Sequence, residues 1–312
     1  MNTPAHTPYD GSSKLFAIGL KPLDLADWIE VDGNLPAHLA EKRRLYVELP
    51  EKVFVEEPDT RVAQQEVLDL LTAHLPGRFP GRYRRAGEAL VVDGAPKSPF
   101  APPFNTPLLD APLVTASLLV QEDLILMRKG EDGWRLAAGS LCFPSSWVLT
   151  EKFGKPLHRI HDPVPGFGPG SRPDELIARM FDGLQGQAVE RFNWSIQAGD
   201  ALYHPLSDDQ RIDRATNRPS RFAGSDDIDA SAFIRVERQT LRKLPVSRDI
   251  LFTIRIHLDP LAVLTRHPEK ASLAASFAAQ LMALDQAQLD YKGLAADRDR
   301  LVAHLNHIAA SA

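Results

Sequence analysis

The strictest pattern in the sequence is an alternation between positions 250 and 258. Its apolar members stand at every second position and are Ile250, Phe252, Ile254, Ile256 and Leu258. A period of two residues is that of a β-strand that packs one face on a core. Residues 233–242 form a second strand-like run, and the segment 244–249 joins the two. The pattern predicts a β-hairpin, so the fold must provide antiparallel pairing at this point.

Four more segments have the length and the apolar content of short strands. They cover residues 114–120, 124–129, 134–143 and 191–197. The first three are separated by Gln-Glu-Asp at 121–123 and by Gly-Glu-Asp-Gly at 130–133, which are turn sequences. We therefore expect an antiparallel meander in the middle of the chain.

Helical periodicity predicts four longer helices. They cover residues 60–75, 174–184, 268–284 and 286–310. Asp59 is the candidate N-cap of the first helix, and Pro76 is expected to end it. Gly293 is expected to bend the last helix, and a short helix should follow Ser145 or Ser146.

Two stretches predict loops rather than regular structure. Residues 96–112 contain six prolines, and residues 198–231 are polar with few apolar anchors. Together with the strands and helices they indicate the α+β class: an antiparallel sheet with flanking helices and a helical C-terminal segment. Residues 1–13 are expected to be a mobile tail, and residues 14–312 to form a single domain.

Charge and cysteine content exclude several functional classes. The 36 Lys and Arg residues stand against 41 Asp and Glu, so the net charge of −5 lacks the basic excess of proteins that bind nucleic acid or anionic membranes. The single cysteine, Cys142, excludes an internal disulfide, a cysteine-based zinc site and a self-contained iron–sulfur cluster. Since neither a secretory signal nor a membrane-spanning apolar stretch occurs, we expect a cytoplasmic protein.

The segment 139–166 concentrates unusual chemistry, whereas the common catalytic motifs GxxxxGK[ST], GxGxxG, HExxH and GxSxG are missing. It holds one cysteine, two histidines and four prolines, and prolines on both sides of His161 restrict its backbone. Imidazole and thiolate both bind iron, so His161, His158 and Cys142 are candidate ligands. The alternative is that Cys142 is a small buried apolar residue and the histidines brace a loop.

Two of the predicted strands carry further candidates. In RFNW, Arg191 suits a carboxylate partner, and the face of Trp194 can attract an amine cation. In RVERQTLRKLP, Glu237 and Arg238 belong to an unusually charged strand, which indicates the polar wall of a pocket. The alternatives are a strand with a core tryptophan and a solvated edge strand that discourages strand addition.

Several sequence blocks occur in one order between about residue 15 and residue 295. They are GLKPLD (19–24), LCFPSSW (141–147), EKFGKPL (151–157), IHDPVPG (160–166), RFNW (191–194), RVERQTLRKLP (235–245) and LDYKGL (289–294). In these blocks the sequence resembles the haem-dependent oxidative N-demethylase family, whose type member is the haem-carrying α subunit of a bacterial dimethylamine-oxidising enzyme. The ordered set is a more specific signal than any one block.

The resemblance implies a fold, a cofactor and a reaction. The fold is a PAS-like core, a curved antiparallel sheet with helices on one face, and the cofactor is haem b. The reaction oxidises a methylated secondary amine to a primary amine and formaldehyde, with oxygen and with electrons from a partner reductase. In the type system other subunits supply NADPH, FMN and iron–sulfur chemistry. The single cysteine and the missing dinucleotide motif agree with that dependence on partners.

The resemblance implies a ligand for the haem iron without identifying it, and the rigid block IHDPVPG makes His161 the first candidate. We expect His161 to be the axial ligand of the haem iron, with His158 and Cys142 as the competing candidates. A thiolate would push more electron density toward O–O cleavage than an imidazole, so the choice bears on mechanism. Arg191 or Arg238 is expected to pair with a haem propionate.

The substrate is expected to enter an apolar pocket lined by Trp147 or Trp194. Glu237 is expected to position the substrate ammonium or to relay a proton. Two alternatives remain open at this point. The chain is a haem or small-ligand sensor that keeps a PAS-like pocket without turnover, or it is a haem-free interaction subunit whose alanine-rich C-terminal helices form an oligomer face.

Overall fold

A seven-stranded sheet organises the part of the chain that the computed structural model describes, residues 3–13, 15–87, 89–93, 110–225 and 227–311. The strands are β1 (Lys21–Leu23), β2 (Phe54–Glu56), β3 (Tyr83–Ala86), β4 (Ala89–Val92), β5 (Asp123–Gly130), β6 (Gly133–Ser140), β7 (Ala188–Ala198), β8 (Ala232–Lys243) and β9 (Ile250–Pro260). Their order is β1-β7-β8-β9-β5-β6-β2, every neighbouring pair is antiparallel, and β3 and β4 form a separate ribbon.

The hairpin predicted from the alternation at 250–258 is confirmed as β8 and β9. It lies at the centre of the sheet, and eleven residues of each strand are paired. The hydroxyl groups of Thr240 and Thr253, which are cross-strand partners, lie 2.6 Å apart. The polar position Arg255 of β9 is only 1% exposed, so the sheet is covered on both faces here.

Helices cover the sheet, and the α+β class is confirmed. They are α1 (Leu35–Glu48), α2 (Pro50–Val53), α3 (Arg61–Arg78), α4 (Pro112–Ser117), α5 (Leu149–Lys152), α6 (Leu157–Ile160), α7 (Arg172–Gly183), α8 (Asp208–Asn217), α9 (Ile228–Ser231), α10 (Lys270–Met282), α11 (Gln286–Lys292) and α12 (Arg298–Ala310). The helices predicted at 60–75, 174–184 and 268–284 are confirmed as α3, α7 and α10, and the strand predicted at 191–197 is confirmed as β7.

Helix α3 does not end at Pro76 as the sequence predicts, and Thr60 rather than Asp59 is its N-cap residue. A proline inside a helix leaves the carbonyl four residues earlier without its N–H partner. That carbonyl belongs to Thr72, and it accepts a hydrogen bond from Nη2 of Arg85 at 3.0 Å. Because this donor replaces the missing one, the helix continues to Arg78.

Two segments between the confirmed elements differ from the prediction. Residues 114–120, predicted as a strand, lie mostly in α4, because a short buried apolar run fits either structure and Pro112 favours a helix start. The predicted loop 198–231 contains α8 and α9, and a capping box between Ser207 and Gln210 begins α8. The short helix expected after Ser145 or Ser146 begins only at Leu149.

The C-terminal segment packs against the face of the sheet that carries Trp194. The prediction of a single bent helix over 286–310 is wrong, because α11 and α12 are separate helices. Gly293 ends α11 with φ of +64°, a left-handed conformation that glycine adopts without a side-chain clash. Phe277 of α10 meets the indole of Trp194 edge-on, with ring centroids 4.8 Å apart.

The N-terminal residues 3–13 run along the same side of the molecule. Their mobility stays a prediction, and the structure places Tyr9 in the core, 1% exposed and stacked on Phe277 with ring centroids 4.4 Å apart. Residues 94–109 are outside the described part, so most of the predicted proline-rich loop 96–112 is not described. Among the described helices, none has the length and apolarity needed to cross a membrane.

Candidate functional site

One face of the sheet forms the floor of a cavity, which we call the Glu237 cavity. Its floor side chains stand at alternating positions of the strands, as expected for side chains on one face. They are Ile125 and Met127 of β5, Leu136 of β6, Arg191, Asn193 and Ser195 of β7, Glu237, Gln239 and Leu241 of β8, and Phe252 and Ile254 of β9. Because the polar groups belong to β7 and β8, the floor has a polar half and an apolar half.

The segment after β6 supplies most of the remaining lining. It contributes Trp147, Lys152, Leu157, Ile160, His161, Pro163, Val164, Phe167, Ile177, Met180 and Phe181. The N-terminal residues Phe16, Ile18 and Leu20 add a further apolar edge. A mostly apolar lining with a few polar groups is typical of sites that bind a small molecule or a cofactor.

His161 lies at the cavity directly after α6, where its N–H donates to the carbonyl of Leu157 at 2.9 Å. Burial, and after it the charge of Arg191, lower the pKa of His161 from 6.5 to about 4. The imidazole is therefore neutral at pH 7 and keeps a free lone pair, as a metal ligand must. Its Nδ1 is buried, and no group in the described residues hydrogen bonds to it.

Arg191 reaches the same cavity from β7. Its Nη2 donates to the carbonyl of Ala17 at 3.2 Å, whereas its buried Nε has no partner among the described residues. Burial lowers the pKa of Arg191, and the nearby charge of Glu237 opposes that shift. Because an arginine stays charged in proteins, this guanidinium has an N–H left to offer to an anion.

Positive charge dominates the cavity. Five cationic side chains line it: Lys152, Arg191, Arg211, Arg221 and Lys292. Lys292 donates to the carbonyl of Trp194 at 2.5 Å, and burial lowers its pKa from 10.5 to about 8. A buried excess of positive charge favours an anionic ligand group such as a carboxylate.

Glu237 is the one carboxylate among the described lining residues. It accepts a hydrogen bond from Nε2 of Gln239 at 2.6 Å, and Asn193 is its cross-strand partner on β7. The residue is only 8% exposed, so water screens its charge only weakly. The position makes Glu237 the natural partner for a cationic group in this cavity.

Cys142 does not line the Glu237 cavity, although the sequence makes it a candidate ligand of the haem iron. It is fully buried, and burial together with the charge of Asp123 raises the pKa of its thiol well above the usual range. The carboxylate of Asp123 accepts hydrogen bonds from the backbone N–H groups of Cys142 and Phe143, both at 2.8 Å. Cys142 therefore belongs to the packed core rather than to the lining of the cavity.

Three other predicted site residues also lie outside the lining. His158 is on the short helix α6, half-buried and away from the cavity. Arg238 faces the other side of β8, where its Nε donates to Glu190 at 2.8 Å. Trp194 follows Arg191 at an odd interval on β7, so the pleat of the strand puts the two on opposite faces.

Sequence reasoning missed several lining residues. Tyr291 and Lys292 lie in the block LDYKGL, and Lys152 lies in EKFGKPL, so two blocks of the resemblance contained the signal. Arg211 and Arg221 come from the segment predicted as a loop, and their spacing shows no pattern. Arg221 is held by its Nη1, which donates to the carbonyl of Ile196 at 2.8 Å.

A comparison with protein families agrees with the sequence blocks. The family model described as haem-dependent oxidative N-demethylase, alpha subunit-like, matches residues 19–302. The matched part includes every strand of the sheet and all but two of the Glu237 cavity residues discussed above, since Phe16 and Ile18 precede it.

Proposed function

The chain belongs to the haem-dependent oxidative N-demethylase alpha-subunit-like family, and from this premise we propose that it binds haem b in the Glu237 cavity and demethylates a methylated secondary amine. Membership indicates a haem-dependent oxidoreductase of the oxidative N-demethylase type. The haem type, the amine, the release of formaldehyde and the partner reductase are parts of the proposal.

The observation that carries the proposal is the environment of His161. A neutral imidazole with a buried Nδ1 that has no partner in the described residues lies at an apolar cavity. Haem needs a nitrogen or sulfur ligand, an apolar enclosure and positive groups for its two carboxylates. The cavity offers all three, with Arg191 as the first candidate for a carboxylate because its Nε has no partner there. We propose that His161 would hold the haem iron.

The reaction requires a second protein. Iron in haem, with dioxygen, two electrons and two protons, would oxidise the N-methyl carbon, so that R–NH–CH3 yields R–NH2, formaldehyde and water. The chain has one cysteine and no dinucleotide-binding fingerprint, which supports a partner that carries flavin or iron–sulfur groups and delivers the electrons.

Glu237 is proposed to bind the substrate. A methylated amine is a cation at neutral pH, and Glu237 is the one carboxylate in the described lining. Its hydrogen bond with Gln239 fixes the orientation of the carboxylate before substrate arrives. It can hold the ammonium proton and accept it when the amine must become neutral for oxidation. Trp147 and the apolar half of the floor are proposed to enclose the methyl group and exclude water.

The fold proposal is a PAS-like core. The antiparallel order of the sheet and the placement of the cavity on one of its faces support it. In such a core the ligand lies between the sheet and its covering helices, and here α6 and α7 provide that cover.

The test is formaldehyde release by the haem-loaded protein. Dimethylamine and a set of larger N-methyl amines are supplied with oxygen, NADPH and a flavin-dependent reductase. We expect formaldehyde and the demethylated amine in equal amounts, and none from ethylamine, which has no N-methyl group. If the protein binds haem and the iron is reduced, but no N-methyl amine yields formaldehyde, the proposed enzymatic function is wrong and a sensor function is favoured.

A further inference from the structure

A second cavity lies on the opposite face of the sheet, and we call it the Arg238 cavity. Its described lining contains five carboxylates and two guanidinium groups: Asp24, Asp27, Glu30, Asp32 and Glu190, with Arg78 and Arg238. Two histidines, His6 and His257, complete its polar groups. This lining is acidic, in contrast to the cationic Glu237 cavity, so it favours a positively charged ligand.

Three of these residues converge on one point. Nε2 of His6 lies 2.8 Å from Oε1 of Glu30, and Nε2 of His257 lies 2.9 Å from Oε2 of the same carboxylate. The two imidazole rings are 5.0 Å apart and meet edge-on. Within the described chain, this is the one place where three His, Cys, Asp or Glu residues bring ligand atoms within 4.8 Å of one another.

The spacing of these atoms suits a bound metal ion. Zinc binds imidazole nitrogen and carboxylate oxygen at about 2.0–2.2 Å, so tetrahedral ligand atoms lie about 3.3–3.6 Å apart. Each imidazole contacts its own oxygen of Glu30, so the distances of 2.8 and 2.9 Å would have to open by about half an ångström while the carboxylate turns toward the ion. Two imidazoles and one carboxylate leave a coordination position for water or a small ligand.

The surrounding structure holds two of the ligands firmly. His257 is part of the central strand β9. The backbone N–H of Glu30 donates to Oε1 of the buried Glu122 at 3.0 Å. His6 comes from the N-terminal segment, and its ring packs on Phe192 with centroids 4.7 Å apart. A metal ion at this point would therefore join the N-terminal segment to the sheet.

The nearest cation does not prevent binding. Nε of Arg238 lies 3.6 Å from Oε1 of Glu30, but the same nitrogen is 2.8 Å from Glu190. Other N–H groups of Arg238 donate to the carbonyls of Asp27 and Trp28. Its charge is thus largely compensated by groups other than Glu30.

We propose that His6, Glu30 and His257 form a site for a divalent transition-metal ion of the Zn²⁺ class, which fastens the N-terminal segment to the sheet. The site is separate from the Glu237 cavity and does not depend on the proposed demethylation.

Titration with Zn²⁺ in competition with a chromophoric chelator tests the proposal. The haem-loaded full-length protein is first freed of loosely bound metal, and the variants are His6→Gln, Glu30→Gln and His257→Gln. His304→Gln is the matched control, because His304 also lies 2.8 Å from a carboxylate, Asp229, but has no second imidazole there. Hydrogen exchange of residues 3–13 is measured with and without Zn²⁺.

We expect one Zn²⁺ per chain, slower exchange of residues 3–13 when it is bound, and at least about tenfold weaker binding in each ligand variant. His304→Gln should bind as the wild type does. If His257→Gln does not fold, the other two variants decide. No binding by the wild type, or unchanged affinity in any folded ligand variant, would overturn the proposal.

Discussion

Glu237 and Arg238 are consecutive residues of β8 and face two different cavities. The pleat of a strand sends neighbouring side chains to opposite faces, and here both faces are covered. The carboxylate lies in a cavity whose charged side chains are mainly cations, whereas the guanidinium lies in one whose charged side chains are mainly carboxylates. One strand therefore separates a proposed haem and amine site from a proposed metal site, and substitutions can probe them separately.

Glu237→Gln should weaken amine turnover without loss of haem. The amide keeps the shape of the side chain and the contact with Gln239 but removes the negative charge. Losing a charged hydrogen bond should lower kcat/KM for the amine about 10- to 100-fold, mainly through KM. Steady-state kinetics measure the effect, with the exposed Glu175→Gln as control. An unchanged KM would remove Glu237 from the substrate site.

The two tryptophans should behave differently. Trp147→Ala enlarges the Glu237 cavity, so kcat/KM for a bulkier N-methyl amine should rise at least about tenfold relative to that for dimethylamine. Trp194→Phe loses a hydrogen bond to Gln280, measured at 2.9 Å, and part of a buried ring, and should cost at least about 1 kcal/mol of stability with no change in kinetics. A changed substrate preference in Trp194→Phe would contradict this assignment.

Asp123→Ala should destabilise the fold strongly. The buried carboxylate binds two backbone N–H groups at 2.8 Å and lies 3.8 Å from the ammonium of the buried Lys42. Removing it leaves a buried cation without its counter-ion, which costs about 3–5 kcal/mol. Urea denaturation measures the loss. Asp299→Ala removes a mostly exposed carboxylate beside Arg298 and should have no measurable effect. A similar stability of both variants would refute the role of Asp123.

Stability should fall as the pH drops from about 6.5 toward 4. Burial, and then the charges of Arg221, Arg235 and Arg214, lower the pKa of His204 from 6.5 to about 4. Between these values the unfolded chain binds a proton that the folded chain does not, so the free energy of unfolding decreases with decreasing pH. His204→Gln should reduce the slope of the free energy of unfolding against pH by an amount equivalent to at most one bound proton. His307→Gln, at an exposed position, should leave the slope unchanged. Equal slopes in the two variants would count against the buried state of His204.

Patterns confined to neighbouring residues predicted much of the fold. The alternation at 250–258 identified the central hairpin because a period of two can satisfy only a strand. The strand prediction at 114–120 is wrong because the periodicity of this apolar run is ambiguous and its burial depends on distant residues. Helix α8 was missed because its stability rests on a capping box at Ser207 rather than on an apolar face.

The predicted site residues that lie at the Glu237 cavity are those for which the sequence blocks and the strand period agree, and their roles stay predictions. Arg191 and Glu237 line the cavity together, and His161 follows from the block that contains it. Trp194 lies outside the lining because its block belongs to a strand that presents side chains to both faces of the sheet. Cys142 lies outside the lining because Asp123, which is distant in the sequence, sets its surroundings, and no local pattern indicates that environment.

The most direct test of the central claim is a haem titration followed by the Soret absorption, with spectra of the ferric and the dithionite-reduced, carbon monoxide-bound protein. We predict one haem per chain with the spectrum of an imidazole-ligated iron in the wild type, His158→Ala and Cys142→Ser. His161→Ala should lose or shift that spectrum. An unchanged spectrum in His161→Ala, or no haem binding by the wild type, would contradict the account.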